Sequence, residues 1–337
     1  METPEFSAQR LKRVIGRMQK LSILVVGDLM LDKYVWGNVS RISPEAPIPV
    51  VQVNHEENFA GGAANVARNL SKFGIRAGVC GVLGKDTAGD DLCSLLRKEK
   101  ISTKGLFVES HHKTIVKARI IARQQQVVRV DHEKPIKLKN PQLDRMSKWL
   151  EKEVPSYDAV IIEDYGKGTV SQVIFDQIAE IGKKKEKIVT VDPNPRNPLA
   201  FHDITAVKPN RSEAFQSAMQ EDPGGLEAVE KCGKFLMDRW VTDQLLVTLG
   251  EQGMMLFEKG VSTPYHTPTR AKEVYDVSGA GDTGIAFYTA ALAAGLKPIE
   301  ASEIANHAAG IVVAKSGTAT VSPEELVESF EEASHLS

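Results

Sequence analysis

The sequence predicts an α/β fold, a mostly parallel central sheet covered by helices on both faces, with a small β-lid over a cleft. Short β-branched runs alternate with helical patterns along most of the chain. The runs are apolar at successive positions, as in strands buried on both faces. Two segments, residues 33–54 and 113–133, break the rhythm and read as strands with no helix between them. A chain of 337 residues, 42% hydrophobic and 26% charged, suits one large domain, residues 1–337, with the lid inserted in it.

At the N-terminus, Leu11, Val14, Ile15 and Met18 fall at helical spacing among basic residues, without the uninterrupted apolar stretch of a signal peptide. A docking helix is expected. Strand and helix patterns then alternate: "SILVVGD", "GGAANVARNLSKFG", "AGVCGVLG", "TAGDDLCSLLRKEK", and later "AVIIEDY", "SQVIFDQIAEIGKKK", "KIVTVDP", "ITAVKPN" and "QLLVTLG". From about residue 269 the pattern is helical to the end. In the second lid segment Lys117, Arg119 and Arg123 share one parity, and Val116, Ala118, Ile120 and Ala122 the other, so a strand there is basic on one face. From alternation alone, a lid and an ordinary edge hairpin with a solvated face stand about even.

The net charge of −2 gives no footprint for a general nucleic-acid or membrane-surface binder. Cys80, Cys93 and Cys232 are odd in number and too scattered for a metal site, which fits a reducing cytoplasm. Cys80 reads as core. No apolar run approaches the ~20 residues that span a bilayer. A soluble, cytoplasmic protein is expected.

In α/β sheets ligands sit beyond the carboxyl ends of strands. Asp28 and Asp32, Asp164 and Lys167, Asp192, Asn210 and Gly250 all follow strand patterns. Each alone could be a cap or turn former. Together they outline a polar cleft. Two glycine-rich turns join it, "AGGAAN" with Gly61, Gly62 and Asn65, and "SGAGD" with Gly279, Ala280, Gly281 and Asp282. Neither is a dinucleotide fingerprint or a P-loop. The second opens a helix of small residues, where the N–H groups of Gly279, Ala280 and Gly281 could hold developing anionic charge. Asp282 could then accept a hydroxyl proton, a pairing that suits a kinase.

The chain resembles the PfkB, or ribokinase-like, carbohydrate kinases over nearly its whole length. The two signatures of that family correspond to "AGGAANVARNLSKFGIRAGVCGVLG", residues 60–84, and "DVSGAGDTGIA", residues 276–286. Phe287 is bulkier than the residue usual at that point, a packing variation. The resemblance implies a ribokinase-like three-layer sandwich, with Asp282 as catalytic base. It implies an ATP site at "NRSE", Asn210, Arg211, Ser212 and Glu213, and at Thr248, Gly250 and Gly253, with Asn306 near the adenine. Asn210 and Glu213 would hold Mg2+ through water, although the same pair also reads as a helix capping box. A monovalent cation such as K+ is implied near Asp276 and "AKSGTAT".

Further stretches, "RISPEAPIPVV" above all, resemble the bacterial D-glycero-β-D-manno-heptose 7-phosphate kinases of ADP-heptose and lipopolysaccharide core synthesis. Some of these are fused to a nucleotidyltransferase, and a stand-alone kinase is expected here. The implied reaction is ATP-dependent phosphorylation of the anomeric hydroxyl to give the 1,7-bisphosphate. Asp32, Asn65, Asp164 and Lys167, with Gly61 and Gly62, would orient the sugar. Arg41, Lys117, Arg119 and Arg123 would supply charge for its phosphate. The chain reads "DPNPRNP" at 192–198 where "DPKG" is expected, and Arg196 is the candidate replacement for the missing charge. The alternatives are a PfkB-family kinase for another sugar or sugar phosphate, and a non-catalytic binding protein of the same fold. A dinucleotide oxidoreductase is disfavoured by the missing fingerprint. Exposed lid edges predict a homodimer through the lids.

Overall fold

The computed structural model describes residues 6–123, 125–271, 273–315 and 317–334. Gln124 of the second lid segment and Ser316 of "AKSGTAT" lie outside the described residues. The chain opens with α1 (Ala8–Met18), whose Leu11, Val14, Ile15 and Met18 are buried. There follow β1 (Ser22–Gly27), the long β2 (Leu29–Ile42) and β3 (Pro49–Gly62), α2 (Ala63–Phe73), β4 (Arg76–Gly84), α3 (Thr87–Lys98) and β5 (Ser102–Glu109). Next come β6 (Ile115–Ala122), β7 (Gln125–His132), α4 (Asn140–Glu153), β8 (Ala159–Glu163), α5 (Gln172–Lys184), β9 (Ile188–Asp192) and β10 (His202–Val207). The last part comprises α6 (Arg211–Ala218), α7 (Leu226–Arg239), β11 (Val241–Thr248), β12 (Met254–Glu258), β13 (Tyr265–Thr267), α8 (Ala280–Ala293), α9 (Pro298–Val313) and α10 (Pro323–Ser334).

Among the described residues the main sheet has nine strands in the order β13-β12-β11-β10-β9-β8-β1-β4-β5. All neighbours are parallel except the pairs β11–β12 and β12–β13. Strand periodicity explains its two cores. Ile23 and Val25 of β1 join one apolar cluster with α1, α2, α8 and α9, while Leu24 and Val26 join the other with α4, α5 and α7. Three layers result.

The second sheet has four strands in the order β3-β2-β6-β7. It is antiparallel at β2–β3 and β6–β7 but parallel at β2–β6. Helix begins only at Ala280, later than the residue 269 read from sequence. The turn-forming stretch 276–279, ending in Gly279 at positive φ, interrupts what precedes it. Among the described residues no helix is long and apolar enough to cross a membrane.

Candidate active site

Asp282 lies in the first turn of α8, and the residue ahead of that helix, Gly279, has φ of 81°, a left-handed value that favours glycine. A Cβ at Gly279 would also stand 3.0 Å from Asn65 Nδ2. Asn65 donates from Nδ2 to Asp282 Oδ2 at 2.6 Å, and Tyr165 donates from its hydroxyl to Oδ1 at 2.8 Å. The carboxylate is 7% exposed. Burial pushes its pKa up to about 6, and the two hydrogen bonds work against that rise by favouring the ionised form.

Helix α2 locks to α8 at successive turns. Asn65 holds Asp282, Asn69 accepts from Thr283 Oγ1 at 3.0 Å, and Phe73 meets Phe287 edge-on with centroids 4.8 Å apart. Positions 65, 69 and 73 are one helical stripe, since residues four apart share a face. Phe287 is therefore a packing partner of Phe73, which accounts for its bulk.

The cleft below Asp282 has a volume of about 640 Å³ and is bordered by Glu163, Asp192, Lys208, Asn210, Thr248 and Gly250, among others. These residues follow or end β8, β9, β10 and β11, at the carboxyl edge of the sheet. Lys208, 3% exposed, pairs with Asp192 Oδ2 at 2.7 Å. Burial opposes the Lys208 charge, and Asp192 together with Glu163 and Glu213 more than offsets it, so the ammonium sits above its ordinary pKa. A Cβ at Gly281 would lie 3.7 Å from Lys208 Nζ, so this cation underlies the turn that carries Asp282. Glu163 is buried with Oε2 lacking a hydrogen-bond partner, and burial, then Asp192 and Asp282, push its pKa well up.

A second cavity of about 980 Å³ lies under the small sheet, bordered by Tyr34, Arg68, Arg119, Arg123 and the 275–278 turn. Asp276 and Ser278 face it, whereas Val277, Gly279, Gly281 and Asp282 face the first cleft. One turn thus separates two cavities.

The sequence-predicted residues divide into three groups. Asp282, Asn65, Gly279, Gly281, Asn210, Arg211, Ser212, Glu213, Thr248 and Gly250 come together at the first cleft or the turn that borders it. Asn210 and Glu213 form the capping box of α6: Glu213 N–H donates to Asn210 Oδ1 at 2.9 Å and Asn210 N–H to Glu213 Oε2 at 2.8 Å. Among the described residues no group of three or more His, Cys, Asp or Glu forms a metal cage.

A second group is present but engaged. Asp164, its pKa raised by burial to about 7, accepts from Gly166 N–H and Asn197 Nδ2. Lys167 Nζ pairs with Glu133 at 2.8 Å. Asp32 pairs with Arg119, Gly61 packs against Asp32, and Lys117 Nζ lies 5.5 Å from the Tyr165 ring centroid. Gly62, at φ of 58°, precedes α2. Asp276 accepts from Ser278 and Gly317 N–H groups.

The third group requires correction. Arg123 is not on the basic strand face: β6 ends at Ala122, and Arg123 turns with φ of 49° to donate to Val39 O. Arg41 is exposed near the far end of β2, beyond the residues bordering either cavity. Ala280 N–H bonds Val277 O at 3.3 Å and is therefore not an open donor of the turn. Asn306 is 4% exposed and donates to Pro268 O at 2.6 Å, bracing the chain beyond β13. Gly253, at φ of 88°, makes the turn into β12, where a Cβ would collide with Thr267 O. Arg196 is exposed, and the charge beside Asp192 comes from Lys208.

Sequence reading missed Tyr165, Lys208, Glu163 and Arg68. Each was within a quoted stretch, and position just after or at a strand end was the signal available for the first three.

Residues 20–325 match the pfkB family of carbohydrate kinases. The chain is 38% identical over 317 residues to a protein named "Bifunctional protein HldE" from Pelobacter propionicus, covering 94% of this chain and 64% of that one. The Haemophilus influenzae protein of the same name is 42% identical over 311 residues, covering 92% and 64%. The chain thus spans less than two thirds of these relatives' length. Among solved structures it is similar to Arabidopsis thaliana ribokinase complexed with ribose and ATP, with TM-score 0.69 and 20% identity, covering 93% of this chain and 99% of that one. Escherichia coli phosphofructokinase-2 in complex with potassium gives TM-score 0.74 and 17% identity, covering 94% and 99%. These two likenesses fix the fold as ribokinase-like. The chain belongs to the pfkB family of carbohydrate kinases.

Proposed function

We propose that this pfkB-family kinase transfers the γ-phosphoryl of ATP to the anomeric hydroxyl of D-glycero-β-D-manno-heptose 7-phosphate, giving the 1,7-bisphosphate toward ADP-heptose in the cytoplasm. The observation that carries the reading is the turn at 276–282, which borders one cavity on each side and carries the buried Asp282. ATP takes the cleft at Asn210–Glu213, Thr248 and Gly250, and the sugar phosphate takes the cavity under the small sheet.

The acceptor hydroxyl gives its proton to Asp282 as its oxygen bonds to the γ-phosphorus, and the bond to the bridging oxygen of ADP breaks. Gly279 and Gly281 N–H groups, with Lys208 beneath the turn, face the charge that develops. Asn65 and Tyr165 hold the base ionised. At the cleft Glu213 retains one carboxylate oxygen outside the capping box, and that oxygen fits Mg2+ held through water. Magnesium, when bound, offsets the charge of the phosphates. A K+ ion at Asp276 would brace the same turn. Asp32, Asn65 and Lys167 orient the sugar, Arg119, Arg123 and Lys117 attract its phosphate, and Asp164 borders the nucleotide cleft instead. The exposed small sheet pairs with its copy in a homodimer.

A panel of sugars and sugar phosphates, assayed with ATP, tests this: heptose 7-phosphate has the highest kcat/KM. The "DPNPRNP" departure favours a second reading, a different sugar phosphate, and the same panel identifies it.

A further inference from the structure

Asp32 on β2 and Arg119 on β6 occupy one buried site. Arg119 Nη1 donates to Asp32 Oδ1 at 2.5 Å, with side chains 15% and 8% exposed. The other oxygen, Oδ2, is walled by β3, where a Cβ at Gly61 would stand 2.3 Å away. Arg119 lies over the Tyr34 ring, 5.2 Å from its centroid, and borders the cavity under the small sheet. Arg68 and Arg123 border the same cavity, and Asp32 does not. The carboxylate expected to orient the sugar is withheld, while the guanidinium that withholds it is the group open to the acceptor.

Exchange of partners at a buried ion pair is governed by what replaces each bond. Removing one partner leaves the other charge desolvated, which is costly. A sugar without phosphate must draw Asp32 from Arg119 and offers the guanidinium only hydroxyls in return. A sugar carrying a phosphate dianion gives Arg119 a bidentate, charge-matched partner and so releases Asp32.

We infer that Arg119 determines selectivity for phosphorylated acceptors, by holding Asp32 until a phosphate dianion takes its guanidinium. This rests on the reading of the acceptor as a sugar phosphate, and adds that the phosphate acts on the residue that orients the sugar as well as supplying affinity. Arg123 makes the contrast. Its guanidinium is held by a neutral carbonyl, that of Val39, so its loss weakens phosphate binding and releases no carboxylate.

The test compares heptose 7-phosphate with the dephosphorylated heptose. In Arg119→Met, kcat/KM for the phosphorylated sugar falls on the order of 100-fold, and that for the dephosphorylated sugar rises about fivefold or more. Arg123→Met lowers the first and does not raise the second, and Arg119→Lys keeps the dephosphorylated sugar poor. Wild-type enzyme gives an independent readout that needs no variant to fold: inorganic phosphite dianion, added with the dephosphorylated sugar, raises its turnover several-fold. Arg119→Met that lowers both sugars in equal proportion, or phosphite without effect on the wild type, overturns the inference. A panel that selects another sugar phosphate sinks only the heptose assignment, and the same ratios are then read on that sugar. Preference for an unphosphorylated sugar sinks both.

Discussion

The two sheets are built to opposite specifications. Every residue of β1 and of β8 is buried, whereas every residue of β7 and most of the outer half of β3 are exposed. The main sheet holds its strands between two apolar layers and ties α8 to β9 through Thr289 and Thr190 at 2.7 Å. The small sheet leaves Val127, Val128 and Val130 in solvent along an edge strand. Close-packed interiors resist displacement, and sparsely packed elements open at low cost. The proposed function divides labour accordingly: the reacting groups stand on helices and turns packed against the rigid sheet, and the groups that would select the acceptor stand on the yielding one.

The sharpest way to break this comparison is at Asp282. Asp282→Asn lowers kcat by ~10²- to 10⁴-fold while sparing ATP affinity, as steady-state kinetics with nucleotide titration will show. Near-normal turnover would remove the base from the rigid half. On the yielding half, Gly61→Ala drives a methyl into Asp32 and raises the acceptor KM about 10- to 100-fold, with the KM for ATP unmoved. Equal changes in both constants would mean that the small sheet serves the nucleotide too.

Tyr165→Phe probes the join between the two. The wild-type acid limb of kcat falls near pH 6, where the buried Asp282 takes up a proton. Hydrogen bonds to a carboxylate favour its ionised form, so removing the phenol moves that limb to higher pH and lowers kcat about 3- to 30-fold below it. An unmoved limb would leave Tyr165 as packing alone. The smallest effect is expected at the exposed edge. Val128→Lys shifts stability by no more than about 0.5 kcal/mol in thermal unfolding, yet weakens self-association in sedimentation velocity.

What could be read in the sequence follows the same division. The α/β rhythm was legible because strands buried on both faces and short-period helices leave local patterns. The capping box at Asn210 and the turn at Gly279–Asp282 were legible because their geometry lies within four residues. Tyr165 reaches Asp282 across 117 positions, and Lys208 reaches the turn only through the order of strands, so neither contact has a local signature. Arg123 was misread for the converse reason. Parity assigns a face only while the strand continues, and β6 stops one residue before it.

The path of β3 carries a mechanical consequence. This strand of 14 residues, roughly 45 Å when extended, carries a bulge at Asn54 and leads into α2 through Gly62, three residues before Asn65. In the proposed function it is a lever with its fulcrum beside Asn65, the residue that holds Asp282. A pivot of about 5° at Gly62 carries the far end of the strand roughly 4 Å, ample to uncover or seal the acceptor cavity. The leverage runs the other way as well: a displacement of the tip reaches Asn65 divided by the same ratio, which would shield the alignment of Asp282 from such a pivot.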